Sequence, residues 1–115
     1  MVIRSDERPV SVKEHMRDGA GQVKMCPIMS AEQLRSAGKL FNTVTLEKGC
    51  EVGYHMHVGD CEAYLFLSGE GELNDNGTVT TVRAGDVSFT EDGEGHSLKN
   101  NCDEPLVFIA LVLNR

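Results

Sequence analysis

The sequence lacks any apolar run of membrane-spanning length, and its first ten residues, MVIRSDERPV, lack the apolar core of an export signal. It also lacks a cluster of Lys and Arg. With 11 basic against 18 acidic residues and a net charge of −7, the chain has no concentrated positive charge with which to neutralise phosphates, which argues against nucleic acid. The excess of acid reads as a solvated surface. No CxxC pair occurs among Cys26, Cys50, Cys61 and Cys102, which argues against a zinc ribbon or a thioredoxin-like site. Without an export signal these four are expected to be reduced packing residues. Met16, Met25, Met29 and Met56 form no helical stripe and read as gap-filling packing. The expectation is a soluble cytoplasmic protein of 115 residues, with no membrane partner, and long enough for one core but not two.

What is present is strand and turn. Residues 1–22 are polar and mixed in charge and are expected to form an N-terminal arm or edge strand. Residues 23–115 are expected to form the single β-barrel domain. Val23–Ile28 and Phe41–Leu46 read as strands, with Ser30 capping one helical turn between them. Asn74-Asp75-Asn76-Gly77 separates two strand candidates and reads as a hairpin, because Asn-Gly tolerates the positive φ that tight hairpin turns require. Arg83-Ala84-Gly85-Asp86 is a further turn, leading into Val87–Thr90. The last run, Leu106–Leu113, is apolar on both faces, whereas a strand with one solvated face should alternate. A second subunit is the simplest cover for its other side, so a homodimer is expected. Short strands at regular spacing with little helix indicate an all-β barrel of jelly-roll type.

Two histidines one residue apart, His55 and His57, are followed by Glu62, and a third histidine, His96, lies well downstream. Alternate residues of a strand share a face, so His55 and His57 can share an ion. A turn through Gly59-Asp60 is expected to return Glu62 on a paired strand, with Tyr64 and Phe66 following on the same face. Cys61 points the other way by the same parity. Neutral imidazoles and a carboxylate suit first-row divalent ions, among them Mn, Fe, Co, Ni, Cu and Zn. The competing reading is a barrel without metal whose histidines bond one another. His15 reads as a surface residue.

The spacing around these residues is Gly49, five residues, His55, one residue, His57, four residues, Glu62, six residues, Gly69, and then Gly85, Gly93, His96 and Asn100. It resembles the two motifs of the cupin superfamily. The resemblance implies a double-stranded β-helix jelly-roll barrel with a metal ion held by His55, His57, Glu62 and His96. The second motif of that family usually carries proline where this chain has Glu91, which puts the rigidity of that turn in doubt. The substitution also adds a carboxylate; Glu91 and Glu94 read as solvated loop charges, with proton handling at the site entrance by one of them as the alternative.

A divalent ion with one carboxylate ligand is net positive and favours small, anionic, oxygen-rich ligands or substrates. It can polarise a carbonyl or activate water. The resemblance therefore implies first a small metalloenzyme of isomerase, lyase, decarboxylase or dioxygenase type. Second comes a non-catalytic binding or sensor module, and third a structural metal clamp in a dimeric barrel. Tyr64 is the candidate for a catalytic or polar contact beyond the ligands, and could equally be a wall residue.

Overall fold

Alternation of buried and exposed side chains organises nearly the whole chain. In Asp60–Ser68 the residues at even positions up to Phe66 are buried, and in Leu106–Asn114 the buried set is Leu106, Phe108, Ala110 and Val112. The structure, a computed structural model, describes residues 1–115. Its first strands are β1 (Ser11–Glu14), β2 (Gln22–Met29), β3 (Gly38–Leu46), β4 (Glu51–Met56) and β5 (Asp60–Ser68). They are followed by β6 (Glu70–Asp75), β7 (Thr78–Arg83), β8 (Val87–Thr90), β9 (Gly95–Lys99) and β10 (Leu106–Asn114). A six-stranded sheet in the order β1-β2-β3-β10-β5-β8 faces a four-stranded sheet in the order β4-β9-β6-β7, and every pairing is antiparallel. This is the all-β double-stranded β-helix expected from the sequence.

The core lies between the sheets. Val44, Leu46, Tyr64, Phe66, Leu106 and Phe108 project from the larger sheet onto Val52, Leu73, Val82 and Leu98 of the smaller. Burying a side chain of this size contributes roughly 1.5–3 kcal/mol, so the apolar cluster holds the two layers together. Ser30 accepts a hydrogen bond from the Gln33 backbone N–H and Gln33 returns one, a capping box that starts the single helical turn Ala31–Leu34. Asn76 and Gly77 both have positive φ, 49° and 99°, as the tight β6–β7 turn requires. No helix is long and apolar enough to cross a membrane.

One expectation fails. Glu62 does not return on a strand paired with the one bearing His55. β4 belongs to the four-stranded sheet and β5 to the six-stranded one, so the bend at Val58-Gly59 carries the chain across the barrel rather than back along it. Gly59 makes the bend possible, with φ at +78°. The partner of His55 is instead His96, directly opposite on β9.

The outward side of β10 is half covered: Val107, Ile109 and Leu111 are intermediate in exposure. Beside it lie Leu65, Leu67, Val87 and Phe89, which are exposed on the outer face of the larger sheet.

Candidate metal centre

His55 and His57 share a face at the end of β4, as their spacing predicts. The β4–β9 pairing sets His96 beside them, and Glu62 reaches in from the opposite sheet. The potential ligand atoms of the four residues all lie within 4.8 Å of one another. His57 Nε2 is 3.1 Å from His96 Nε2, which is 3.2 Å from His55 Nε2. Glu62 Oε1 is 3.1 Å from His57 Nε2 and 2.9 Å from His96 Nε2. His57, Glu62 and His96 are buried, while His55 is half-buried at the edge of the cluster.

The outward nitrogens explain why the rings point this way. His55 Nδ1 is 2.8 Å from the Gly53 carbonyl and His57 Nδ1 is 2.7 Å from Asp60 Oδ1, and both partners can only accept. Each Nδ1 therefore carries the proton and donates it, which leaves Nε2 as a lone pair aimed at the centre. His96 Nδ1 meets the Thr90 hydroxyl at 2.8 Å, and that hydroxyl can play the same accepting role. Three Nε2 lone pairs and a carboxylate converging in a buried pocket would repel one another unless a proton or a cation stood among them. Such a donor set fits a single divalent transition-metal ion, with its outer hydrogen bonds already in place.

The titration behaviour of the metal-free cluster follows from the same contacts. The hydrogen bond to Glu62 raises His57 above the ordinary imidazole value despite its burial, and Asp60 adds to the rise. Burial lowers His55, and its bond to Gly53 offsets this only in part. Burial pushes the Glu62 carboxyl up, but its bonds to His57 and His96 outweigh that and hold it below the usual range. Asp60 behaves alike, with Lys39 and His57 as its partners.

A cavity of about 420 Å³ opens beside the cluster. Its walls include Val23, Val44, Phe108 and Val112, and its charged lining outside the cluster is Lys13, Arg17, Lys39 and Asp60. Asp60 is engaged by His57 and by Lys39 Nζ at 2.6 Å. Tyr64 also lines the cavity, with its ring stacked on His96 at 5.0 Å between centroids. Burial, and then the neighbouring Glu62 carboxylate, raise its phenol well above the ordinary value and keep it protonated.

Sequence reasoning named the four converging residues but missed Asp60, Thr90 and Lys39. Asp60 is legible only as a carboxylate three residues after His57, in the expected turn, whereas it opens β5. Thr90 and Lys39 carry no local signal: Thr90 meets His96 from β8 of the opposite sheet, and Lys39 reaches Asp60 from β3, on the far side of β10. Glu91 and Glu94 stand apart from the cavity. The Glu94 carboxylate accepts from the Glu91 N–H at 3.0 Å and that of Glu91 from the Asp92 N–H at 3.0 Å, so both close their own turn. That turn is fastened to the site without proline: His57 N–H donates to Glu94 O at 2.9 Å, and Gly93 N–H to His57 O at 2.7 Å. His15 is exposed and outside the cluster, and all four cysteines are free. Met16 and Met25 pack on the core, but Met56 is 51% exposed, because it alternates with the two inward histidines and points away from the interior.

A family model described as Cupin domain matches residues 42–112, a stretch containing all four converging residues. The chain belongs to the cupin family. A protein of Thermotoga maritima named Oxalate-binding protein is 40% identical to this cupin over 113 residues, covering 98% of this chain and 93% of that protein. A crystal structure described as a predicted oxalate decarboxylase from Thermotoga maritima superposes with a TM-score of 0.95 at 39% identity, covering both chains in full. A sugar phosphate isomerase from Silicibacter pomeroyi, described as of the cupin superfamily, superposes with a TM-score of 0.80. At 22% identity, over all of this chain and 76% of that one, the last likeness bears on the fold alone.

Proposed function

We propose that this cupin holds one divalent transition-metal ion on His55, His57, Glu62 and His96 and uses it to bind a small dicarboxylate of the oxalate class. The observation that carries the reading is the charge pattern of the cavity. On a chain of net charge −7, the side chains with free charge around the cluster are cationic, Lys13 and Arg17, and the one carboxylate outside the cluster, Asp60, is neutralised by Lys39. A bound metal would supply a net positive centre with positions open to carboxylate oxygens. The residues do the rest: the apolar walls exclude water and the cations at the mouth draw the anion in. The name of the Thermotoga maritima relative points to the same ligand class. The cavity beside the cluster favours this over a purely structural ion.

Turnover is the second reading, favoured by Tyr64. A phenol held protonated inside the cavity is a hydrogen-bond donor that can steady a bound carboxylate during decarboxylation. The homodimer expected from β10 is also proposed, with the outer apolar face of the larger sheet as its interface.

Titration calorimetry of manganese-loaded protein with oxalate, followed by chromatography of the mixture after long incubation, tests these readings together. Saturable binding with oxalate recovered intact supports the binding module. Formate in the products supports turnover. No binding by metal-loaded protein overturns the dicarboxylate reading.

A further inference from the structure

Three of the four residues His15 to Asp18 have left-handed backbone: His15 at φ +51°, Arg17 at +53° and Asp18 at +63°. Side chains larger than glycine rarely adopt this conformation, and a cluster of such residues persists only where its surroundings hold it. Here the holding is visible. The segment lies against β4 so closely that a Cβ on Gly53 would collide with the Arg17 carbonyl, and a Cβ on Gly19 with the Glu51 carbonyl and, at 2.7 Å, the Gly53 nitrogen. Gly53 is also the residue whose carbonyl orients His55 at 2.8 Å. One glycine thus seats Arg17 and aims a member of the metal cluster.

The side chain so placed has nothing of its own to bind. The Lys and Arg ion pairs of the molecule join Lys39 to Asp60, Lys48 to Asp103, Arg83 to Glu70 and Arg115 to Asp92, and Arg17 is in none of them. It is exposed and lines the cavity that holds His55 and His57. A guanidinium presents a planar fork of donors that matches a carboxylate in two parallel hydrogen bonds, which an ammonium cannot do.

We propose that Arg17 is the specificity residue of this cavity, receiving the carboxylate oxygens of a dicarboxylate that point away from the metal ion. The assignment rests on the reading of the site as metal-dependent and dicarboxylate-binding. It gives the backbone of His15–Asp18 a purpose, since the segment sets the distance between the fork and the metal. It also separates two ligand types: oxalate has oxygens left over for Arg17 once it meets the metal, whereas acetate presents only a methyl group.

The test is titration calorimetry of full-length, manganese-loaded parent, Arg17→Ala and Arg17→Lys with oxalate and with acetate, after metal content has been measured for each. Equal metal content is expected, with a loss of oxalate affinity of about 10- to 100-fold in Arg17→Ala and an intermediate loss in Arg17→Lys, while acetate affinity stays within about twofold. Undiminished oxalate binding by Arg17→Ala overturns the assignment and leaves the dicarboxylate reading standing. An equal fall for oxalate and acetate also overturns it, since the residue then acts only as general positive charge. A metal-loaded parent that binds neither anion overturns both the assignment and the reading beneath it.

Discussion

Asp60 accepts a hydrogen bond from His57 Nδ1 at 2.7 Å on one oxygen and from Lys39 Nζ at 2.6 Å on the other. The carboxylate is buried, so the pair fixes both the proton and the plane of the imidazole whose Nε2 faces the cluster. Asp60→Asn keeps the shape but offers an amide that can turn its NH₂ toward His57. Metal affinity, measured by competition with a chromogenic chelator, is expected to fall about 10- to 100-fold. An unchanged affinity would show that ring orientation is set elsewhere.

Replacing His96 by Ala is expected to abolish stoichiometric metal uptake while the barrel persists, because the ring meets the apolar cluster at Tyr64 and is not itself part of it. Metal analysis by plasma mass spectrometry beside far-ultraviolet circular dichroism reads both halves. Full metal content in the variant would remove His96 from the ligand set.

Protons compete with the ion. His57 is raised above the ordinary 6.5 by Glu62 and then Asp60, so metal affinity is expected to begin falling at a pH above 6.5, earlier than for an unperturbed imidazole. His55, lowered by burial, adds its own competition only at lower pH. In the metal-free protein the sign reverses. The raised His57 contributes stability that is complete below 6.5 and is lost as pH rises through its folded-state value. Chelator competition and urea unfolding across pH 5 to 9 measure the two trends, and parallel slopes would contradict this account.

Leu98→Ala removes a side chain with no exposed surface, two residues along β9 from His96. The cavity is expected to cost about 2–5 kcal/mol in urea unfolding with metal content retained, because the histidines are oriented by Gly53, Asp60 and Thr90 rather than by Leu98.

The outer face of the larger sheet exposes Leu65, Leu67, Val87 and Phe89 beside the half-buried side of β10. Light scattering is expected to give twice the 12.6 kDa chain mass for the parent and the single mass for Phe89→Glu. A monomeric parent would leave this face without a role.

Most of the strands could be read directly, since alternation and turn chemistry are local: Asn76-Gly77 announces its hairpin and Ser30 its cap. The four members of the cluster were legible through their spacing. Which sheet each strand joins was not, because a bend at Val58-Gly59 looks the same whether the chain turns back or crosses over. That error put Glu62 beside the histidines instead of opposite them. The hydrogen-bond partners Asp60, Lys39 and Thr90 were illegible for a related reason: Asp60 and Thr90 reach the histidines from the larger sheet, and Lys39 reaches Asp60 from β3.

The pairing of His55 with His96 makes the chemistry a matter of reading frame. The ladder already shifts register between Val52 and His55, and from there on side chains alternate, so a one-residue slip at this end of β4 would turn Tyr54 and Met56 inward in place of the histidines. A two-residue change would restore the parity. For anyone recombining or redesigning this barrel, the parity of edits to β4 therefore matters more to its chemistry than their number.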